Sequence, residues 1–405
     1  MRKILYITAE GFDTPNPNNQ MAEAMLQGFL NEGYAVHLVQ SFRNGKNHRI
    51  PASLIEKANF SVDSIDQKKV EKSNFVKRYM AGVKYAFSAM KCWRKIKDVD
   101  IIYLQSNPTV IYHALLLRIF LRKTPIVYSI YDVFPGHAYD IGVIKSKFLY
   151  NILRVTQKPC YKLVSAIMVL SEDMKRKVVE QGAKAENVYV VPAWFDMRTT
   201  REVEQNENRF IKKYNIPTDK FYVQFAGTIG YVFDYKTVIE LAKRLKNEED
   251  IVFQIIGDGC VKEQFVKEAF EKGLNNIVFY PLQSVDIVSD VYSACNLCLI
   301  PLKKGVIGNG VPSKAPILMA CKRMIVNSVE IDSDYARMYE ENDMGISVNV
   351  GNWDELAKVI IQLYRSPEDI KRMAANAYAY GRANYSSLES VKKILNIFEL
   401  YQKVD

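Results

Sequence analysis

Two lysines and three glycine-bearing loops are the residues best placed by type and spacing to do chemistry. The chemistry they suit is the binding of a phosphate-like anion. The apolar run FYVQFAG leads into Gly227-Thr228-Ile229-Gly230. Glycines after a strand let the backbone approach a bulky anion, and N–H groups at the start of the following helix can bind it. Lys236 stands early in that helix, where its ammonium can reach the same anion. Gly257-Asp258-Gly259 follows the run VFQII, again at the end of an apolar segment. The third loop, Gly308-Asn309-Gly310-Val311-Pro312-Ser313-Lys314, runs into KAPILMACKR. Ser313 has the chemistry of an N-cap. Lys314 in the first turn opposes the helix dipole unless an anion sits there, which marks it as the preferred ligand. None of these loops has the G-x-G-x-x-G spacing of dinucleotide binders.

Other constellations have plainer explanations. Cys295 and Cys298 form a C-x-x-C, but SACNLCLIPL reads as a buried strand and no second Cys/His pair stands at metal spacing. Packing, not metal or redox chemistry, is expected there. Asp98-Val99-Asp100 and Asp332-Ser333-Asp334 read as turn residues. Metal ligands: none are expected, and no cofactor either.

The elements that must position these loops follow from periodicity. Short apolar runs alternate with amphipathic stretches along the chain, the pattern of parallel sheets flanked by helices. Strands are expected at residues 3–8, 35–40, 100–105, 125–130, 166–171 and 187–191, with a helix over 19–32. Residues 197–220 lose periodicity and become polar, which places an inter-domain connection there. Strands return at 222–226, 252–256, 277–280, 297–301 and 324–326, with helices over 235–246 and 261–272 and from about Ser313. The expected class is α/β, two Rossmann-like domains facing across a cleft. The domains are 1–196, a linker at 197–220, 221–380, and a C-terminal helix at 381–405 packing back on the first domain. Ligands of such sheets bind outside the carboxyl ends of the strands. Gly11 and Asn16, after the first strand, and Tyr131, after the fourth of these runs, are therefore expected on the side of a second substrate.

The chain has 405 residues and a net charge of +10. Its first 196 residues carry 28 Lys+Arg against 17 Asp+Glu, a net +11, and the remainder 27 against 28. The excess is thus confined to one half and points to an anionic partner for that half. Six cysteines without regular spacing argue against a disulfide framework. No stretch reaches the ~20 apolar residues of a membrane span. The apolar run after Met1-Arg2-Lys3 is too short for a signal peptide, so a cytoplasmic location is expected.

Taken in order, Gly227-Thr228-Ile229-Gly230, Gly257-Asp258-Gly259, Pro312-Ser313-Lys314 and Met319-Ala320 resemble the donor-binding half of family-4 retaining glycosyltransferases of the GT-B fold. The likeness is greatest to bacterial surface-polysaccharide enzymes with a PSK loop. In the first half, Asp132-Val133-Phe134-Pro135 with Gly142 resembles that family's D-L-W-P segment. The VLSE run ending at Glu172 and Pro192-Ala193-Trp194-Phe195-Asp196 match two further turns. The resemblance implies a nucleotide-sugar donor held by Gly227, Gly230, Lys236, Gly257, Asp258, Asn309, Gly310, Pro312, Ser313 and Lys314, with the loop at Leu282 facing the base. It implies metal-independent transfer, because backbone amides and lysines stabilise the leaving diphosphate. Asp132 and His137 take the catalytic positions.

The chain departs from the family at informative places. The usual Glu-x7-Glu pair falls on Asn309 and Ile317, and Ile317 cannot hold a ribose hydroxyl. Glu330 is the candidate substitute. The His that often precedes the family's Asp is Tyr131, and the Glu after its Pro is Gly136. A catalytically impaired relative that binds a glycan or partner, or a GT-B sugar-nucleotide epimerase, are the alternatives these departures leave.

Between Lys68 and Lys97 there are ten Lys/Arg and one acid, Glu71, interleaved with apolar residues at three- and four-residue steps. Residues 74–96 therefore read as a basic amphipathic helix. Lys77, Arg78, Lys84, Lys91, Trp93, Arg94 and Lys95 are expected to face an anionic membrane surface. That location suits a polyprenyl-diphosphate-linked or other glycan acceptor, with the protein peripheral on the inner face of the plasma membrane. No RNA- or DNA-binding module is present, so nucleic acid is not expected as a partner.

Overall fold

The computed structural model describes the chain except for residues 13–16, 43–49, 69, 71–74 and 402–405. It divides into two compact units. Unit 1 comprises Met1–Ala193, Gly308–Val311 and Ser387–Asp405; unit 2 comprises Trp194–Ile307 and Pro312–Ser386.

Unit 1 begins β1 (Lys3–Ile7), α1 (Pro17–Asn31), β2 (Ala35–Phe42), α2 (Ala52–Ile55), β3 (Phe60–Asp66) and α3 (Phe75–Trp93). It continues β4 (Ile101–Gln105), α4 (Val110–Phe120), β5 (Ile126–Ile130), α5 (Gly136–Asp140) and α6 (Lys147–Leu163). It closes with β6 (Ala166–Val169), α7 (Glu172–Glu180) and β7 (Val188–Val190). The seven strands are all parallel, in the order β3-β2-β1-β4-β5-β6-β7. Central strands β4 and β5 are buried at every residue, as sheets covered on both faces require. β3, FSVDSID, is an edge strand with no fully buried residue. Its alternating, polar sequence gave no continuous apolar run, and the sequence reading passed over it. Helices α3, α4, α6 and α7 share one core with the sheet, built from residues such as Tyr85, Leu117, Cys160 and Val178.

Unit 2 contains α8 (Arg209–Tyr214), β8 (Phe221–Thr228), α9 (Tyr235–Arg244), β9 (Ile251–Asp258), α10 (Lys262–Glu271) and β10 (Ile277–Tyr280). There follow α11 (Val288–Tyr292), β11 (Leu297–Pro301), α12 (Ala315–Ala320), β12 (Met324–Val329), α13 (Asp334–Glu341) and β13 (Gly345–Asn349). Helices α14 (Trp353–Arg365) and α15 (Pro367–Asn384) complete it. Its sheet is again wholly parallel, ordered β10-β9-β8-β11-β12-β13. The chain is α/β, with two parallel sheets flanked by helices.

Two expectations about boundaries need correction. Residues 197–220, expected as the inter-domain connection, lie within unit 2. Asn208 caps α8 by accepting from the N–H groups of Phe210 and Ile211, and its Nδ2 donates to the Asp290 carbonyl at 2.7 Å. Arg209 grips the Asp290 carboxylate, and this outweighs the burial that would raise the Asp290 pKa, holding it low. A polar, non-periodic sequence can still be ordered when its polar groups find partners, and these do. At the other end, the last helix is α16 (Ser387–Tyr401), which belongs to unit 1 and packs on α1, with Phe398 5.5 Å from Phe29. Residues 381–384 instead end α15 in unit 2.

Candidate functional site

In unit 2 the glycine loops gather at the carboxyl ends of β8 and β9. β8 and β9 pair through Gly227↔Gly257, and the backbones meet so closely that a Cβ on Gly257 would lie 1.9 Å from the Gly227 carbonyl oxygen. Gly257 also has φ +143°, a region open mainly to glycine. Asp258 serves this turn: its carbonyl accepts from the Ile229 N–H at 2.9 Å and its Oδ1 from the Gly259 N–H at 2.9 Å. The Oδ1 bond helps shape the loop.

Lys314 is brought to the same place. Its Nζ lies 3.4 Å from the centroid of the Phe225 ring and 3.1 Å from where a Gly227 Cβ would stand. Among the described residues the ammonium itself has no hydrogen bond or ion pair. Burial pushes the ammonium pKa down to about 7. A half-buried cation with no counter-charge among the described residues loses hydration that an anion against this glycine turn would offset. Phe225 was missed from the sequence because a buried aromatic in a strand reads as core. Lys314, not Ser313, stands at the N-cap of α12, without a side-chain capping bond; Ser313 is exposed and Pro312 buried.

Other expected donor ligands are placed differently. The Lys236 ammonium sits 2.5 Å from the Glu268 carboxylate of α10, whose hydrogen bond raises its pKa. Its charge is therefore already matched. Gly230 follows Gly227 in the same loop, and Leu282, in the loop after β10, is 66% exposed. Glu330, just beyond β12, accepts from the Gly305 N–H through Oε1 at 2.5 Å, while its buried Oε2 has no partner among the described residues. One carboxylate oxygen thus remains to accept a hydroxyl. Ile317 lies within α12, part-buried, with no polar side-chain atom.

A second cluster lies in unit 1, at the end of β5. Asp132 is 61% exposed, and its Oδ1 is 3.7 Å from His137 Nε2. His137 Nδ1 is buried with no partner. The loop Gly308–Val311 closes on these residues: a Cβ on Gly310 would come within 3.0 Å of Asp132 Oδ1. Asn309 is 5% exposed, its carbonyl accepts from the Val133 N–H at 2.8 Å, and its Nδ2 donates to Asp140 at 2.5 Å. Asn309, expected among the donor ligands, is therefore committed to Asp140 of α5. The adjacent Tyr131 N–H donates to Ser106 Oγ at 3.1 Å, and burial, then Tyr103, raises its phenol pKa. At the end of β1, a small hollow is lined by Tyr6, Glu10, Gly11 and Gln105 among others. Asn16 lies outside the described residues. No group of three or more His, Cys, Asp or Glu with metal-binding geometry occurs among the described residues.

The basic helix expected at 74–96 is α3, although Asn74 lies outside the described residues. Lys77, Arg78, Lys84, Lys91, Arg94 and Lys95 are exposed on or just after it. Trp93 is not: it is 1% exposed and packs in the core against Phe120. It belongs to the helix's apolar stripe, and α4 covers that stripe.

Residues 206–380 match the model of glycosyl transferases group 1, and residues 24–194 that of the glycosyl transferase 4-like domain. "Probable glycosyltransferase WbjE" of Pseudomonas aeruginosa is 24% identical over 339 residues, covering 82% of this chain and 83% of that protein. "Putative colanic acid biosynthesis glycosyl transferase WcaI" of Escherichia coli strain K12 is 29% identical over 178 residues, 44% of each chain. Among solved structures, Anabaena HepE in complex with UDP and glucose has a TM-score of 0.74 at 14% identity, covering 99% of this chain and 100% of that one. With two successive parallel sheets, a glycine-lined cation site in the second and both halves matched by these models, the chain is a glycosyltransferase of the GT-B fold resembling family 4.

Proposed function

We propose that the protein transfers a sugar from a nucleoside-diphosphate sugar to a hydroxyl of a lipid-linked or other glycan acceptor in bacterial surface polysaccharide synthesis, with retention and without a metal. The observation that carries the donor side is Lys314: a half-buried ammonium with no anionic partner among the described residues, set against Gly227 and Phe225 at the strand ends. In this reading the donor diphosphate supplies the missing charge. As the bond from the anomeric carbon to the diphosphate oxygen breaks, Lys314 and the loop amides stabilise the growing negative charge. The acceptor oxygen bonds to the anomeric carbon, and its proton passes to the departing diphosphate. Glu330 Oε2 is free to accept a donor hydroxyl. His137, with an unpartnered ring nitrogen, and Asp132 position the acceptor or offset positive charge on the sugar ring.

The surface-polysaccharide assignment draws on the likeness to WcaI, and a UDP-sugar is the first donor to test because HepE was solved with UDP and glucose. The basic first half supports an acceptor at an anionic membrane, with the protein peripheral on its cytoplasmic face. The commitment of Asn309 to Asp140 and the apolar Ile317 favour, as a second reading, a relative that binds nucleotide without transferring sugar.

A screen of UDP- and GDP-sugars by thermal melting tests the donor assignment, since a ligand that binds the folded state raises Tm by mass action. One family of sugars is expected to stabilise. Absence of stabilisation by any nucleoside diphosphate or its sugars at millimolar concentration would sink the transferase mechanism. Stabilisation with no transfer to any acceptor extract, under conditions where a control enzyme turns over, would establish the binding-only alternative.

A further inference from the structure

Three neighbouring helices of unit 1 have an unusual composition. α3 packs on α4, and α4 packs on α6. They contain 19, 11 and 17 residues, and none carries an Asp or Glu. Charged surface helices ordinarily mix signs, because like charges alone repel and opposite ones pair at four-residue steps. Here Lys84, Lys91, Lys147, Arg154, Lys158 and Lys162 are all exposed, and among the described residues none makes an ion pair.

The apolar exposure is concentrated in the same place. Among the described residues, nine of the twenty exposed large hydrophobic side chains lie on these three helices. Phe87, Ile119, Phe120, Ile152, Phe148 and Val155 are among them, the last two 76% and 66% exposed. Exposed apolar side chains gathered on neighbouring helices are costly in water and mark an interaction surface. The interleaving decides between partners. A second copy of this face would bring like charges together. A nucleic acid would satisfy the cations and leave the aromatic and branched side chains wet. A bilayer with anionic headgroups satisfies both, the apolar side chains entering the headgroup boundary while the lysine stems lie along it.

We infer that the α3–α4–α6 face of unit 1 is a docking surface for an anionic lipid bilayer, in which α6 carries a share of the contact equal to or greater than that of α3. This deepens the membrane-bound acceptor proposed above and rests on it only for its biological purpose. Binding is read without donor or acceptor, so the two ideas fail separately.

The test is co-sedimentation of the full chain with vesicles of phosphatidylglycerol and phosphatidylcholine in equal parts, against phosphatidylcholine alone, at low and high salt. The wild type is expected to sediment with the anionic vesicles and to be released by salt. Neutralising Lys84, Lys147 and Lys158 together to Gln is expected to weaken partitioning about 5-fold for each, on the order of 100-fold in all. Phe148→Ser with Val155→Ser is expected to weaken it while leaving the salt dependence of the remainder unchanged. Lys267→Gln with Lys358→Gln, on exposed helices of unit 2, is expected to bind as wild type. A cooperative melt at the wild-type Tm, without ligand, certifies that each variant is folded. Equal sedimentation with both vesicle types, wild-type binding by the α6 variants, or a wild-type dimer in solution that Phe148→Ser converts to monomer would each overturn the proposal.

Discussion

Replacing Lys314 with Met separates the two jobs that its position imposes. The half-buried ammonium lies over the Phe225 ring with no counter-charge among the described residues, and its pKa falls from the usual 10.5 to about 7. A depression of that size corresponds to roughly 5 kcal/mol against the charged form. Partial exposure and water penetration reduce the figure, so Lys314→Met is expected to stabilise the free protein by about 1–3 kcal/mol at pH 6. For a unit of this size that is a rise in Tm of roughly 2–12 °C. The sign follows from linkage. The unfolded chain holds the proton up to about pH 10.4 and the folded one only to about 7, so the wild type gains stability as pH rises between those values. The variant's advantage is therefore greatest at and below pH 7 and fades by pH 10.

The same substitution is expected to lower affinity for a stabilising nucleotide-sugar by about 10- to 100-fold, the loss of one charge-assisted contact. Wild-type binding takes up a proton near pH 7 and above, which calorimetry in buffers of different ionisation heat detects. Lys236→Ala, whose ammonium is already held by Glu268, is expected to change affinity less than 3-fold, well short of one charged hydrogen bond. A Lys314→Met variant that melts lower than wild type, or binds the diphosphate equally well, refutes the reasoning.

Two further outcomes follow from buried groups and close backbones. His113 is buried against Tyr85 with neither ring nitrogen partnered, and burial lowers its pKa to about 4. Folding stability is then lost as pH falls from 6.5 towards 4, and His113→Phe is expected to flatten that part of the Tm–pH curve while changing nucleotide binding little. Gly257→Ala sets a Cβ 1.9 Å from the Gly227 carbonyl at a φ that alanine resists. It is expected to destabilise unit 2 by about 3 kcal/mol or more, read by urea unfolding, and to abolish nucleotide stabilisation.

Much of this protein was determined by local sequence. Ile101–Gln105, Ile126–Ile130 and Met324–Val329 are apolar because both faces of a central parallel strand are covered, and such runs are visible without any tertiary information. The glycine loops were legible for a similar reason, since their backbone constraint acts over three or four residues. The edge strands Phe60–Asp66 and Gly345–Asn349 escaped notice because an edge has one paired side and tolerates polar residues. The assignment of partners could not be read in advance at all. Lys236, Lys314 and Asn309 each looked like a ligand by type and position. Only the fold set Glu268 beside the first, an aromatic ring and, among the described residues, no anion beside the second, and Asp140 beside the third. Likewise the basic helix was plain in the sequence, yet Trp93 turned inward and the acid-free face extended over α4 and α6, because charge and exposure add up over neighbours that only packing brings together.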